Sequence, residues 1–374
     1  MSAALPEPKV AILDAPCPRR IAFILPSFAG GGAERVLLTL ASALDPAAFS
    51  LKIIVIDGVG PWRALVPDRI PVTDLGRKRI RGALLPLAWA LRRSGAEVAV
   101  STIGALNLTL LALKPLLPTG MRLVVREANT PHRHSTGPIE ARFYRWAYPR
   151  LYRRASIVIV PAIYLARELS DDFGVPHQRI AVLHNPVDEL RLREGALPIA
   201  RIPGPGPRFI AVGRLTRQKG FDRLIEMIER IRPDAAITIL GDGPDRGALE
   251  AQRDAQGLHG RVFLPGFAAD AARYIAGADA LLLPSRWEGM PNVALEALAL
   301  GTPVIATPEA GGIGEIAEAA PPGTVILADA GPKFIAAMKK VEAVPVAVPR
   351  PSLLPNEFKL DAAVTRFARL ISAG

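Results

Sequence analysis

A glycine- and proline-rich stretch, Gly195 to Pro207, ends in Pro203-Gly-Pro-Gly-Pro207 and divides this chain into two runs that repeat one order of elements. Each run alternates short apolar segments with glycine-bearing turns and with segments whose apolar residues recur at helical spacing. In the first run the apolar segments are Ile21 to Ser27, Leu51 to Ile56, Val98 to Ser101, Leu123 to Arg126, Ser156 to Val160 and Ile180 to Leu183. In the second they are Phe209 to Val212, Ala236 to Leu240, Val262 to Leu264, Ala280 to Leu283 and Val304 to Ala306. Such runs read as strands covered on both faces, and their alternation with helices predicts parallel sheets. The expected fold class is therefore α/β, with two Rossmann-like, doubly wound parallel-sheet domains facing a cleft. The expected boundaries are a tail over 1–20, a first domain over 21–190, a linker over 191–207, a second domain over 208–345 and a final amphipathic helix over 356–374.

The chain's 374 residues are too many for one ordinary core, which agrees with two domains. A single cysteine, Cys17, cannot close an internal disulfide, so a reducing, cytoplasmic setting is the expectation. No uninterrupted apolar run of membrane-spanning length occurs, and Met1 to Arg20 lacks the basic and apolar regions of a signal peptide. The formal net charge of +11 is uneven: residues 1–200 hold 26 Lys and Arg against 16 Asp and Glu, and the remainder holds 20 against 19. A basic first half suits an anionic lipid surface or an acidic glycan, and a peripheral position on the inner face of the cytoplasmic membrane follows as an expectation. Nucleic acid is not expected as a partner, because no reader motif is present.

The densest information lies in Asp279 to Thr307. An apolar strand is followed by Pro284-Ser-Arg-Trp-Glu288-Gly-Met-Pro291-Asn, a short helix, Gly301 at its end and a second apolar strand after Pro303. The amides of Gly289, Met290, Pro291, Asn292 and Val293 are thus expected to open a helix just past a strand's C-terminal end, proline contributing no N–H. Open α/β sheets bind ligands there, and helix N-termini attract phosphate. Glu288 on the turn and Glu296 inside the helix are two carboxylates able to accept paired hydrogen bonds from vicinal sugar hydroxyls. Upstream, Arg214 and Lys219 stand five residues apart on a glycine-flanked loop after a strand. A forked guanidinium and a compact ammonium suit a diphosphate. No Asp-x-Asp pair sits at a strand end nearby, so neither a metal nor another cofactor is expected, and activity should survive EDTA.

Two further basic stretches stand out. Arg142 to Arg154 (RFYRWAYPRLYRR) predicts an amphipathic helix bent near Pro149, with Phe143, Trp146 and Leu151 as candidates for its buried face and a membrane surface as the alternative partner. Arg77 to Arg81 (RKRIR) is a second candidate for an anionic surface.

The segment from Glu288 to Glu296 resembles the Glu-x7-Glu signature of retaining glycosyltransferases of GT-B architecture, specifically the large family 4. Similar motifs recur in order: Gly31-Gly32-Ala-Glu34-Arg35-Val36, Gly213 to Gly220, Gly241-Asp-Gly-Pro244, Val262 to Phe267, and Gly311-Gly312-Ile-Gly-Glu315. The resemblance implies a donor site. Gly31 and Gly32 would border the donor phosphate, and Arg214 and Lys219 would hold the diphosphate. Pro265, Gly266 and Phe267 would line the base, Glu288 would contact the sugar and Glu296 the ribose. Glu288, Arg214 and Lys219 are the expected catalytic groups. It also implies that the last helix crosses back onto the first domain.

Arg126-Glu127-Ala128-Asn129 stands where many family members hold a histidine, and here that position is Ala128. Glu127, Asn129, His132 and His134 are accordingly the candidates on the acceptor side. The implied reaction moves a hexosyl or N-acetylhexosaminyl group from a nucleotide diphosphate sugar, UDP-linked in preference to GDP-linked, to a lipid-linked or glycan hydroxyl in envelope polysaccharide or lipopolysaccharide synthesis. Its rivals are a sugar-nucleotide epimerase of the same architecture, for which the additional acids and histidines are missing, and a non-catalytic sugar-nucleotide binder.

Overall fold

A computed structural model describes residues 17–29, 31–129, 137–200, 202–344 and 349–373. In chain order the first lobe runs β1 (Arg19–Ser27), α1 (Gly32–Ala43), β2 (Phe49–Asp57), β3 (Val72–Asp74), α2 (Leu84–Ser94) and β4 (Val98–Thr102). It continues with α3 (Gly104–Ala112), β5 (Arg122–Arg126), α4 (Pro138–Leu151), β6 (Ile157–Val160), α5 (Ile163–Asp171) and β7 (Ile180–Val182). Helix α6 (Glu189–Glu194) then occupies the start of the expected linker. The second lobe is β8 (Arg208–Val212), α7 (Phe221–Ile228), β9 (Ala236–Leu240), α8 (Arg246–Ala255), β10 (Val262–Gly266), α9 (Ala271–Gly277) and β11 (Ala280–Leu283). It closes with α10 (Asn292–Ala299), β12 (Val304–Ala306), α11 (Ile313–Ala319), β13 (Val325–Leu327) and α12 (Pro332–Lys339), and α13 (Leu360–Ser372) ends the chain.

The strands form a seven-stranded sheet, ordered β3-β2-β1-β4-β5-β6-β7, and a six-stranded sheet, ordered β10-β9-β8-β11-β12-β13. Both are parallel throughout. In each, the strand order reverses beside the first strand: between β1 and β4, and between β8 and β11. These are the topological switch points, where the loops after two adjacent strands diverge and leave a crevice. Core clusters cover both faces of each sheet, which is why the strands read as unbroken apolar runs.

Beyond β13, which the expected strands of the second run leave out, two departures from the sequence expectation are local. β1 starts at Arg19 rather than Ile21, because the Arg19 N–H donates to Ala48 O at 2.9 Å and its guanidinium to carbonyls at the end of α13. β3 escapes a period reading because Val72, Thr73 and Asp74 supply only one apolar residue and an edge needs little else.

The chain crosses between lobes twice, and the crossings pair with each other. Val187 N donates to Phe358 O at 2.9 Å and Leu360 N to Val187 O at 3.1 Å. Helix α13 then buries Ala363, Phe367 and Ile371 in the first lobe's core, with Phe367 6.1 Å from the ring of Phe23. Burial of Phe367 and Ile371 contributes about 1.5–3 kcal/mol each, which favours holding the return crossing against the first lobe. Asp279 anchors its start. The fully buried carboxylate takes paired bonds at 3.1 Å from the Arg208 guanidinium, and Val344 N at 2.8 Å.

Candidate active site

Helix α10 is short because its ends are specified. Pro291 is its N-cap, one position outside the helix. At the other end Thr302 N donates to Ala297 O at 2.8 Å and Gly301 N to Leu298 O at 3.0 Å, the paired bonds of a Schellman ending. Gly301 carries the left-handed turn at φ 75°, a conformation a side chain would strain. The helix therefore starts immediately after the β11 loop and presents its first amides at the second lobe's switch point, opposite the loop after β8.

Those two loops bring the expected groups together. Lys219 Nζ lies 2.6 Å from Glu288 Oε1, which also accepts from Ser285 Oγ at 2.8 Å. Gln218 Nε2 donates to Trp287 O at 3.0 Å and approaches Glu288 Oε2 at 3.5 Å. Glu288 is buried by these neighbours, while Arg214 is exposed and has no ion-pair partner among the described residues. The two loops thus carry an exposed guanidinium, an ammonium shared with a carboxylate, and a helix N-terminus. It can receive a diphosphate and a hydroxylated ring side by side.

The first lobe closes directly on this loop. A β-carbon at Gly289 would stand 2.0 Å from Ala128 O, so only glycine permits that approach. The Tyr164 hydroxyl donates to Glu288 O. The Glu315 carboxylate, from α11, accepts Ile163 N at 2.7 Å and Tyr164 N at 3.2 Å, joining the second lobe to the N-terminus of α5. Burial acts to raise Glu315, but His184 and those two amides outweigh it and hold the carboxyl below its ordinary value. Asn185 Nδ2 donates to Asn292 Oδ1 at 2.6 Å, and Asn292 Nδ2 reaches Gly32 O at 3.4 Å. Glu296 pairs with Arg35 of α1, whose guanidinium also lies 5.7 Å above the Trp62 ring. Glu296 and Asn292 border an interlobe cavity of about 460 Å³ that Arg35, Trp62 and Asp270 also line.

Several expected site residues offer backbone or exposed surface in place of a clustered side chain. Met290 is a donor-side candidate, yet its side chain is buried in the second lobe's core against Gly312, so only its backbone faces the site. Pro265 and Gly266 end β10, with Pro265 exposed and Gly266 at φ 98°, and the Phe267 ring is exposed at 68%. Gly31 is exposed beside the head of α1. Asn129 is half-buried beside Gly289, whereas His132 and His134 lie outside the described residues.

Glu127 does not reach the cleft. It is 3% exposed and accepts from Tyr148 Oη at 3.0 Å, from Tyr152 Oη and from Asn107 Nδ2 at 3.3 Å, beneath α3 and α4. Next to it the fully buried Arg126 donates to Asn185 Oδ1. Burial lowers Arg126 to about 10 against the opposing charges of Glu34 and Glu127. Helix α4 likewise turns a different face inward. Tyr148 and Tyr152 are buried, stacked 4.4 Å apart, while Phe143 and Trp146 are 50% and 53% exposed. The tyrosines win the interior because the buried Glu127 supplies an acceptor for both hydroxyls.

Burial pushes Glu127 up to about 7 from an ordinary 4.5, against the opposing hydrogen bonds and Arg126. A raised folded-state value means stability that is full below the unfolded pKa and lost as pH rises through the folded one. Between pH 5 and 8.5 the wild-type protein should therefore lose roughly 2 kcal/mol relative to Glu127→Gln, as measured by urea denaturation across that range. Parallel pH profiles for the two proteins would contradict this.

Sequence reasoning missed the residues that hold the acids. Ser285 and Gln218 lie in the same loops as Glu288 and Lys219, and their short spacing to them is a usable signal. Arg35 lies in the Gly31 to Val36 motif, but nothing along the chain points to its partner. Tyr164 and Asn185 gave no signal, since their contacts cross between lobes.

Among the described residues no group of three or more His, Cys, Asp and Glu side chains is placed to hold a metal ion.

Comparison with known proteins agrees with this geometry. The chain is 36% identical over 105 residues to the lipopolysaccharide core biosynthesis glycosyltransferase LpsE of Rhizobium meliloti, a match covering 28% of this chain and 31% of that protein. It is 26% identical over 197 residues to the N-acetylgalactosamine-N,N'-diacetylbacillosaminyl-diphospho-undecaprenol 4-alpha-N-acetylgalactosaminyltransferase of Campylobacter jejuni, covering 52% of this chain and 53% of that one. The matched segments thus span from about a third to about half of these two relatives' length. The fold superposes on HepE of Anabaena, solved with UDP and glucose, at a TM-score of 0.75 and 20% identity over 95% of this chain and 99% of that one. Residues 30–191 match the model of Glycosyltransferase Family 4, and residues 206–342 match that of the Glycosyl transferases group 1. With both lobes matched in this order, the chain belongs to the group 1 glycosyltransferases of family 4, with the GT-B fold.

Proposed function

We propose that this chain transfers a hexosyl or N-acetylhexosaminyl group from a nucleotide diphosphate sugar to a hydroxyl acceptor, with retention at the anomeric carbon and without a metal. The observation that carries the reading is the meeting, at one switch point, of the Arg214–Lys219 loop, the Glu288 turn and the head of α10. In this reading the lobe over 208–345 holds the donor and the lobe over 21–190 the acceptor, with 191–207 and 356–374 as the connections. The bond from the anomeric carbon to the diphosphate oxygen breaks, and the electron pair leaves with the nucleotide diphosphate. Arg214, Lys219 and the α10 amides stabilise that developing charge, the work a divalent ion would otherwise do. The acceptor oxygen forms its bond on the same face, and its proton passes to the departing phosphate. Glu288 orients the sugar. Glu296 receives the ribose hydroxyls after exchanging Arg35 for them. UDP is favoured over GDP because HepE, of the same fold, was solved with UDP and glucose.

Lipopolysaccharide or another envelope glycan is the proposed pathway, supported by LpsE, and a lipid-linked acceptor is supported by the Campylobacter relative's name. Incubation with UDP-, GDP- and ADP-sugars and phosphorylated-glycan acceptors, with and without EDTA, tests the reaction by nucleotide release and by the anomeric proton coupling of the product. A retained anomer formed equally in EDTA is expected. An inverted product, or turnover restored only by a divalent ion, would contradict it.

The proposed setting is cytoplasmic, at an anionic membrane surface, with α4 as the contact. Ile139, Phe143 and Trp146 are exposed at 85%, 50% and 53%, and exposed Arg142, Arg145 and Arg150 lie among them. No helix among the described residues is long and apolar enough to cross a membrane. Interfacial helices pair such apolar anchors with cations. Phe143→Ser with Trp146→Ser should weaken co-sedimentation with anionic vesicles by about tenfold or more, given the ~1.5–3 kcal/mol that each buried ring contributes. Unchanged binding would remove α4 from the account.

A further inference from the structure

A second cavity, of about 640 Å³, lies at the C-terminal ends of β1 and β2 in the first lobe, within the usual volume of a small-molecule site. Ser27 and Asp57 lie at the strand ends that border it, the exposed Val59 gives it an apolar wall, and Lys78, Arg79 and Arg81 close its other side. The cationic segment is fixed in place. Leu75 N donates to Val55 O at 2.9 Å and Arg77 N to Ile56 O at 2.8 Å, extending β3 along β2, and Gly76 N is held by Asp74 Oδ1 at 2.8 Å. Ile80 packs against the lobe's core. Yet Lys78, Arg79 and Arg81 are all exposed, with no side-chain hydrogen bond or ion pair among the described residues. Three cations against Asp57 leave a net formal charge of +2 around the opening. That complements a phosphate, which carries about −1.5 to −2 at neutral pH and accepts the forked donors of arginine.

The cavity also stands close to the donor loop. Ala29 lines it, and three residues further along, Gly32 O meets Asn292 at the head of α10. Three residues span at most about 10 Å. We propose that this cavity is the acceptor subsite and that it takes a sugar bearing a phosphate within about one or two sugar units of the hydroxyl to be glycosylated. Ser27 and Asp57 meet ring hydroxyls, and Lys78, Arg79 and Arg81 meet the phosphate. The inference rests on the sugar-transfer reading, but its cations are distinct from those assigned to the donor, so the two can fail separately.

The test uses the full chain, with titrations of glucose 1-phosphate, glucuronic acid, glucose and inorganic phosphate followed by saturation-transfer and ³¹P NMR, and of UDP by calorimetry. Glucose 1-phosphate should bind at least about tenfold more tightly than glucose and than inorganic phosphate. In Arg79→Glu with Arg81→Glu that advantage should vanish while UDP affinity stays unchanged. Equal binding of glucose and its phosphate, or an advantage that survives the double substitution, would overturn the proposal. Preference for glucuronic acid would replace phosphate by carboxylate and overturn the stated class. Loss of anionic-vesicle binding in the double variant, with glucose 1-phosphate binding intact, would instead make the cluster a membrane contact. Loss of UDP binding in the wild type would count against the donor reading alone.

Discussion

Lys219→Ala lowers kcat for sugar transfer by roughly a hundred- to a thousandfold and raises the donor KM far less. In the proposed reaction the ammonium is one of the groups facing the charge that grows as the diphosphate departs, and a donor aimed at developing charge is typically worth that much. The same ammonium is 2.6 Å from Glu288 Oε1, and Glu288 is almost fully buried. Removing Lys219 therefore also strips a buried carboxylate of its cation and leaves only Ser285 and Gln218 as donors, at a cost of about 1–3 kcal/mol in stability for this partly shielded pair. The two effects separate in Lys219→Ala with Glu288→Ala. The double variant recovers stability in urea denaturation because no orphaned charge remains, but it recovers no turnover. If the double variant regained activity along with stability, Lys219 would be a structural partner of Glu288 and nothing more.

Gly289→Ala cuts kcat/KM by about a hundredfold or more while the melting temperature changes by only a few degrees. A methyl at this position would lie 2.0 Å from Ala128 O and 3.0 Å from Ala128 C, both backbone atoms of the opposite lobe, so neither can swing aside. The clash is between the two lobes, so a small separation of them would relieve it without repacking either core. Misplacement of reacting groups by about 1 Å costs on the order of a hundredfold in rate. Binding of UDP, assigned to the second lobe, should therefore survive in a variant that turns over poorly. Wild-type kinetics for Gly289→Ala would mean that the closed contact is not the reactive arrangement.

The parts of the fold that were legible in the sequence are those with local causes. Apolar runs at Ile21, Val98, Ala280 and Val304 are strands because both faces of each sheet are covered. Glycine and proline at 301 and 303 end α10 where their backbone preferences demand it. The meeting of Glu288 with Lys219 was legible because strand ends at a switch point are where a sequence repeat places its loops. The interlobe partners were not legible. Tyr164, Arg35, Asn185 and Glu315 meet their partners only after the two sheets are set face to face, and no spacing along the chain encodes that. Glu127 shows the reverse error. It lies in a motif beside the cleft, but its position directly after β5 sends its side chain into the core. For α4, amphipathicity alone assigned Phe143 and Trp146 inward. Two tyrosines with a buried acceptor displaced them, leaving an outward aromatic face.

The most direct test compares the binding of UDP and uridine, by calorimetry, in the wild-type protein and in Arg214→Ala with Lys219→Ala. If the second lobe grips a diphosphate, UDP binds the wild-type protein at least about a hundredfold more tightly than uridine, and the double variant brings the two within a few-fold of each other. Uridine binding as tightly as UDP in the wild type, or an undiminished preference for UDP in the variant, would contradict the account.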